Sequence, residues 1–287
     1  MGDGAGEGDA ATGAVGLKRR AVQLALCALC VAEAASAQER VLLRIGGRAG
    51  QTWSTTRASV TLGPVPDAAV PGDTNWVWGT RSISHGTRTV LAVSGDTLTV
   101  SDVTDSSRLD LVGAPDSANP RSPPGPLLTV VSRIDTRGRV FEVHYTRVAP
   151  GRPEDVSGPF GDERQSSEER ASFLLPEMPV RVGEEWGDSS LVRTQGDTAA
   201  SRVRCWRLEG VEAAGGARIA VITGTIRVTP SVPGGASVAA TTRSELDLDG
   251  GWFRSERTTS LVRWEREEHP GASKLELLAV WSGPHDR

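Results

Sequence analysis

Residues 244–253 read SELDLDGGWF, and Asp249-Gly250-Gly251 within them separates two stretches in which polar and apolar residues alternate. Alternation with a period of two puts every second side chain on one face of a strand, and a Gly-containing turn between two such stretches is typical of a β-hairpin. We therefore predict antiparallel strands over residues 244–248 and 252–264. Gly250 is expected to adopt the positive φ that such turns often require.

A similar skeleton occurs earlier in the chain. Residues 132–141 (SRIDTRGRVF) share Ser, an aliphatic residue, Asp, Gly and Phe with residues 244–253 at one spacing. Residues 50–53 (GQTW) likewise match residues 183–186 (GEEW), and the order of these markers is the same in both halves. We interpret the pattern as an internal duplication of a β unit, with chance similarity of short Gly and Asp patterns as the alternative.

The rest of the chain favours strands as well. Residues 90–93 and 98–100 flank a Ser-Gly-Asp turn, and long amphipathic helices are absent from the pattern. The predicted fold class is all-β, with two related antiparallel β units that form either a sandwich or an open, curved half-barrel. The units span residues 38–148 and 173–283, joined by a linker at 149–172 that is rich in Pro, Gly and charged residues.

The N-terminal segment has the three parts of a signal peptide. Lys18, Arg19 and Arg20 precede an apolar stretch over residues 21–32, and Ala35-Ser36-Ala37 forms an A-x-A cleavage site. We predict that residues 1–37 are removed after Ala37 and that the mature protein is periplasmic or secreted. A short buried helix is the alternative interpretation of the apolar stretch.

The cysteines restrict anchoring and metal binding. Cys27 and Cys30 lie in the apolar stretch, and each follows a Leu where a lipid-attachment signal has a small residue, which argues against an anchor. The mature chain keeps Cys205 alone, which excludes an internal disulfide and a thiolate zinc site. We expect Cys205 to be a small buried apolar residue.

Composition excludes several classes of protein. The chain has 287 residues, 38% of them apolar, and a net charge of −4. This apolar content is too high for a disordered chain, and the absence of a basic block argues against nucleic acid as a partner. No apolar run reaches the roughly 20 residues of a membrane-spanning helix, so no transmembrane span is expected.

Motifs for chemistry are absent. The sequence lacks a nucleophile elbow, a P-loop and an H-E-x-x-H zinc motif, and its four histidines are scattered at His85, His144, His269 and His285. We therefore predict a protein that is not an enzyme, with no catalytic residue, no metal site and no cofactor. The ligand-binding residues remain unknown at this stage.

One pattern resembles a calcium loop. Glu245, Asp247, Asp249 and Gly250, followed by Glu256, match five positions of an EF-hand loop. The first position is Glu where Asp is expected, and the flanks are strands rather than helices. We favour an acidic hairpin with a solvated face over a cation site.

The tryptophans allow two interpretations. Trp76 and Trp78 share one face of a predicted strand, as the rings of an exposed sugar-binding platform would. Trp53, Trp186 and Trp252 belong to the repeated skeleton, where a large ring is more readily explained by core packing. Core packing is the favoured interpretation.

Residues 175–186 (LPEMPVRVGEEW) carry a resemblance to known families. The segment resembles the P-x-x-P-V-x-V-G-x-x-W stretch of uncharacterised secreted or lipoprotein-like bacterial β-proteins. The signal peptide and β content also resemble, at the level of architecture, envelope proteins of the lipoprotein-carrier type. The resemblance implies an exported β-protein without enzymatic activity.

Three functions follow as hypotheses. The favoured one is a non-catalytic envelope protein that binds a hydrophobic small molecule or lipid on a curved sheet, with that ligand or an envelope protein as partner. The second is a protein- or carbohydrate-interaction module that uses exposed Trp residues. The third is a hydrolase without a recognisable motif. A continuous apolar cavity of several hundred Å³ would favour the first.

Overall fold

Antiparallel strands paired into a single sheet make up most of the described chain. The computed structural model describes residues 39–64, 76–112, 127–149, 152–155, 173–194, 198–231, 235–264 and 271–285. Its strands are β1 (Thr52–Pro64), β2 (Trp76–Ser94), β3 (Thr97–Val112), β4 (Leu127–Asp135), β5 (Val140–Ala149), β6 (Arg152–Asp155), β7 (Glu185–Thr194), β8 (Thr198–Ala214), β9 (Ala217–Pro230), β10 (Ala236–Asp247), β11 (Trp252–Trp264) and β12 (Gly271–His285).

The predicted all-β fold class is confirmed. None of the residues in the described ranges forms a helix. That part of the chain accordingly contains no helix that is long and apolar enough to cross a membrane. Of the two expected arrangements, the structure adopts the open, curved sheet rather than a sandwich of two sheets.

Strand order shows how the chain builds the sheet. The order is β6-β5-β4-β3-β2-β1-β12-β11-β10-β9-β8-β7, so the chain winds outward from the centre to one edge and returns inward from the other. The first and last strands pair in the middle, from Ser54↔Ser282 to Leu62↔Lys274. β6 lies within the predicted linker and pairs with β5 at one edge, while β7 forms the other edge.

Two backbone hydrogen bonds demonstrate the curvature. Ile45 donates to the carbonyl of Thr136 in the β4–β5 turn, and the next residue, Gly46, donates to Gly251 in the β10–β11 turn, each at 2.7 Å. In a flat sheet the centres of those turns would lie six strand spacings apart, or roughly 29 Å, whereas consecutive Cα atoms are only about 3.8 Å apart. The sheet therefore curls until both turns meet the same short segment.

Two segments outside the strands lie across the inner face at this end of the sheet. We call residues 41–51 and 173–184 the crossing segments. They join each other through reciprocal backbone hydrogen bonds between Val41 and Val180, at 2.7 and 3.0 Å. The Arg44 guanidinium also donates to the carbonyls of Pro176 and Glu177, at 2.7 and 2.5 Å. The crossing segments cover apolar side chains that an open sheet would otherwise expose.

One apolar core forms between the crossing segments and the inner face of the sheet. It draws on both halves of the chain, and its rings pack closely: Trp53 lies 5.4 Å from Trp252, and Phe173 lies 5.3 Å from Trp206. Its fully buried side chains include Leu43, Val90, Leu98, Val100, Leu175, Leu208, Ile222 and Leu246. The inner face is the face of the sheet that packs against this core, and the outer face is the opposite one.

The bend that precedes β1 has the same hydrogen bonds as the bend that precedes β7. Gln51 donates to the carbonyl of Arg48 and accepts from its N–H, at 2.9 and 2.8 Å. The Glu184 N–H likewise donates to the carbonyl of Arg181 at 3.0 Å, and the Glu184 carboxylate accepts from the Arg181 N–H at 2.9 Å. Gly50 and Gly183 both have φ of 85°. The matched bends support the duplication hypothesis, which stays a prediction.

The other pair of markers needs a correction. Gly138 has the expected positive φ of 91°, but in the second hairpin the positive φ of 69° belongs to Gly251, and the expectation for Gly250 was wrong. The second turn is one residue longer, since Ile134 pairs with Val140 whereas Leu246 pairs with Phe253. Residues 141 and 253 are therefore not equivalent: Phe141 is 50% exposed and Phe253 is buried.

Candidate functional site

A cavity of about 380 Å³ lies on the inner face, beside the core. Its apolar lining comes from strands of both halves and from a crossing segment, and includes Ile134, Phe173, Trp252, Phe253, Leu277 and Trp281. The rings are in contact, with Phe253 at 5.2 Å from Phe173 and 6.4 Å from Trp281 between centroids. A volume of this size lies within the range of about 300–1,000 Å³ that is usual for ligand pockets.

Charged residues occupy one wall of this cavity. Arg88 on β2 and Asp102 on β3 are cross-strand partners, and the guanidinium holds the carboxylate through two hydrogen bonds of 2.7 and 2.5 Å. The same guanidinium lies 4.7 Å from the ring centroid of Trp252 and 5.8 Å from that of Trp281. Bidentate pairing and stacking on aromatic faces fix Arg88 in one position.

Arg57 on β1 is bound far less tightly. Its guanidinium lies 3.5 Å from Asp102, and its side chain is 42% exposed. Among the described residues it makes no hydrogen bond, so its N–H donors are open to the cavity that it lines. Burial lowers the pKa of this guanidinium, and the Asp102 carboxylate offsets part of that effect.

Glu256 on β11 faces the same cavity. Strand register places Ala279 between it and Arg57, so the two charged residues are two strands apart on the inner face. Burial raises the pKa of Glu256, although a hydrogen bond with Thr258 and the guanidiniums of Arg57 and Arg88 act in the opposite direction. Arg57, Arg88 and Glu256 thus lie beside the aromatic wall of one cavity. The Arg88 guanidinium is paired with a carboxylate, and the Glu256 carboxyl group is harder to ionise than usual.

Two tryptophans of this wall carry unsatisfied polar atoms. The Nε1 atoms of Trp252 and Trp281 are buried and have no hydrogen-bond partner in the described part of the chain. Buried N–H groups of this kind normally find an acceptor. The cavity itself combines aromatic surface with charged side chains and a carboxyl group of raised pKa, which are the usual features of a ligand site.

A larger groove of about 620 Å³ lies on the outer face. Arginines and threonines of β8 to β11 line it, including Arg207, Arg243, Arg257, Thr223, Thr241 and Thr259. These side chains are exposed or half-buried. We consider the smaller inner cavity the better candidate because contiguous aromatic side chains and charged side chains line it together.

The residues of the calcium-like pattern are used for other contacts. The Asp247 carboxylate accepts hydrogen bonds from the N–H groups of Asp249 and Gly250, and from the Arg254 guanidinium at 2.9 Å. Asp249 pairs with Arg218, whose backbone N–H and guanidinium hold the pKa of that carboxyl below its ordinary value. Glu256 lines the inner cavity. The structure does not bring these oxygens around one point.

Other candidates from the sequence have mixed outcomes. Cys205 is exposed, so the expectation that it is buried was wrong: it alternates with Arg204 and Trp206, whose side chains take the inner face. The side chains of Trp76 and Trp78 lie outside the described residues, and so does His269. His85 contacts Thr56 at 3.1 Å and His144 contacts Glu142 at 2.8 Å, both at exposed positions.

The sequence analysis missed the charged wall of the cavity. Arg88 is two residues before buried Val90, and Asp102 is two residues after buried Val100. In a strand such neighbours share a face, so both charges belong to the apolar face of the predicted hairpin. A charge on a core face needs a partner, so this placement in the sequence could have indicated a buried charged pair.

The comparisons with known proteins assign the chain to no family. No protein-family model matches the chain, and no curated protein matches it. A solved structure described as "Lipid-protein interactions in lipovitellin" is similar, with a TM-score of 0.47 and 8% sequence identity. The match covers 84% of this chain and 26% of that chain, so this protein spans about a quarter of the length of the lipovitellin chain.

Proposed function

We propose that this protein is an exported, non-catalytic binding protein that takes up a small hydrophobic or amphipathic molecule on the inner face of its curved sheet. The observation that carries the proposal is the 380 Å³ cavity lined by Phe173, Trp252, Phe253 and Trp281. Contiguous aromatic surface that the core leaves unfilled gives an apolar ligand a place to bury its own surface.

The test is binding of a neutral apolar probe to the purified protein. We expect N-phenyl-1-naphthylamine to gain fluorescence on binding and 1-decanol to displace it. Ala279 lines the cavity and is buried, so Ala279→Phe should fill the space and weaken probe binding at least tenfold. Its neighbour Leu278 lies on the opposite face of β12, so Leu278→Phe is the matched control and should bind normally.

Native mass spectrometry of protein purified from the envelope fraction of the cells that produce it naturally tests whether a natural ligand is bound. A bound small molecule that is released by lipid extraction is the expected result. Failure of N-phenyl-1-naphthylamine and of 1-decanol to bind, together with an empty protein from the envelope, would defeat the proposal. The interaction-module hypothesis would then lead.

Export rests on the sequence of residues 1–37, which lie outside the described residues. The expected mature protein begins at Gln38, and mass spectrometry of the exported protein measures this directly. A mature form that starts at Cys27 or Cys30 and carries lipid would contradict cleavage after Ala37. It would mean that the protein is anchored to the membrane by that lipid.

A further inference from the structure

We infer that the ligand of the inner cavity carries one carboxylate, which is bound by the Arg57 guanidinium opposite Glu256, while its apolar part lies on the aromatic wall. This inference rests on the proposed function, because it names the chemical class of the molecule that the cavity holds. The class is a short monocarboxylic amphiphile.

The pairing of the arginines identifies Arg57 as the anchor. Two N–H groups of Arg88 donate to the Asp102 carboxylate, and its guanidinium stacks on Trp252. Arg88 is therefore not available to bind a ligand. Arg57 shares the same carboxylate only at 3.5 Å and makes no hydrogen bond within the described residues. Its planar fork is therefore free to take a second carboxylate with two parallel hydrogen bonds.

Charge balance favours an anionic head over a neutral one. Burial favours the uncharged form of Glu256, and in that form the cluster has two guanidiniums against the single carboxylate of Asp102. An apolar ligand that fills the cavity removes water from Arg57. Removing water from a cation that has no close partner is unfavourable in free energy. A neutral ligand therefore binds less tightly than a carboxylate, which supplies that partner.

The same cluster disfavours a doubly charged head. A phosphate monoester carries up to two negative charges near neutral pH and would lie beside the Asp102 carboxylate, which pairs with Arg57 and Arg88. Like charges at such short range repel strongly where water is excluded. A single carboxylate fits the one open guanidinium without adding a second charge.

The experiment compares three ligands with the same ten-carbon chain: decanoate, 1-decanol and decyl phosphate. Their affinities for the full-length mature protein are measured by displacement of N-phenyl-1-naphthylamine. We expect decanoate to bind at least tenfold more tightly than 1-decanol, and decyl phosphate to bind more weakly than decanoate. Equal affinities of decanoate and 1-decanol would overturn the carboxylate assignment and leave the proposed function standing.

Variants assign the effect to one side chain. Arg57→Gln should abolish the preference for decanoate while the affinity for 1-decanol stays within twofold, which also shows that the variant is folded. Arg243→Gln removes an exposed guanidinium from the outer face and should change neither affinity. Equal losses of both ligands in Arg57→Gln, or tighter binding of decyl phosphate than of decanoate, would contradict the inference. If no ligand binds the wild-type protein, the proposed function itself fails.

Discussion

At the residue scale, Gly251 combines a positive φ with close packing against the backbone of a crossing segment. Its φ is 69°, and an added Cβ would lie 2.9 Å from the Cα of Gly46 in a crossing segment. The strained φ alone costs a residue with a Cβ about 1–2 kcal/mol. We predict that Gly251→Ala lowers the free energy of unfolding by at least about 2 kcal/mol, measured by urea denaturation.

Gly95 provides the control for this prediction. It has a positive φ of 57° in the β2–β3 turn, and an added Cβ would meet no atom within 4 Å. Gly95→Ala should therefore show only the conformational cost of about 1 kcal/mol. If the two variants lose the same free energy, the close approach of Gly251 to Gly46 does not matter for stability.

Glu256 should make stability depend on pH. Burial, the largest cause, raises its pKa above the ordinary value of 4.5. The folded protein then keeps a proton that the unfolded chain has released, so this contribution to stability is present below pH 4.5 and is lost as the pH rises through the folded-state pKa. Glu256→Gln should raise the Tm relative to wild type near neutral pH and leave it unchanged at acidic pH.

The charged neighbours of Glu256 offset only part of this effect. The guanidiniums of Arg57 on β1 and Arg88 on β2 lower its pKa, while Ser244 on β10 and Ala279 on β12 do not titrate. Glu142 is the control of opposite sign, because its hydrogen bond with His144 lowers its pKa. Glu142→Gln should not raise the Tm near neutral pH. A rise in both variants would point to net charge rather than burial of Glu256.

At the element scale, the crossing segments close the core. Leu43 and Leu175 are fully buried in the two segments, whereas the adjacent Leu42 is 53% exposed. Removing a buried Leu side chain typically costs about 2–5 kcal/mol. We predict that Leu43→Ala and Leu175→Ala each lose this amount in urea denaturation, while Leu42→Ala changes stability by less than about 0.5 kcal/mol. Similar losses for Leu42 and Leu43 would contradict the covering role.

The strands could be predicted from sequence, but the crossing segments could not. Alternation of apolar and polar residues predicts β10 and β11 directly, because each residue's environment there depends on its own strand face. Residues 41–51 and 173–184 have no such period, and their burial depends on turns that are distant in sequence, such as those at Thr136 and Gly251. The cavity was unpredictable for the same reason, since curvature alone brings Ile134 and Phe253 to one space.

At the scale of the whole molecule, the sheet ties the two halves together at its centre and leaves them unpaired at its edges. β1 pairs with β12, while β6 and β7 pair with no strand of the opposite half. The core and the inner cavity also use side chains of both halves. Each half alone would expose a long central strand as a free edge together with half of an apolar core.

We therefore predict that the chain can be cut between β6 and β7 without unfolding. A protease site placed within residues 156–172, which lie outside the described residues, falls between the last residue of β6 and the first residue of the second crossing segment. The cut protein should elute as a single species on size-exclusion chromatography and keep the circular dichroism and probe binding of the uncut protein. After separation in urea, neither half should refold alone, and mixing them should restore binding, because the β1–β12 pairing and the shared core form only when both are present. A cooperative unfolding transition in either isolated half would instead mean that the protein is two independent domains.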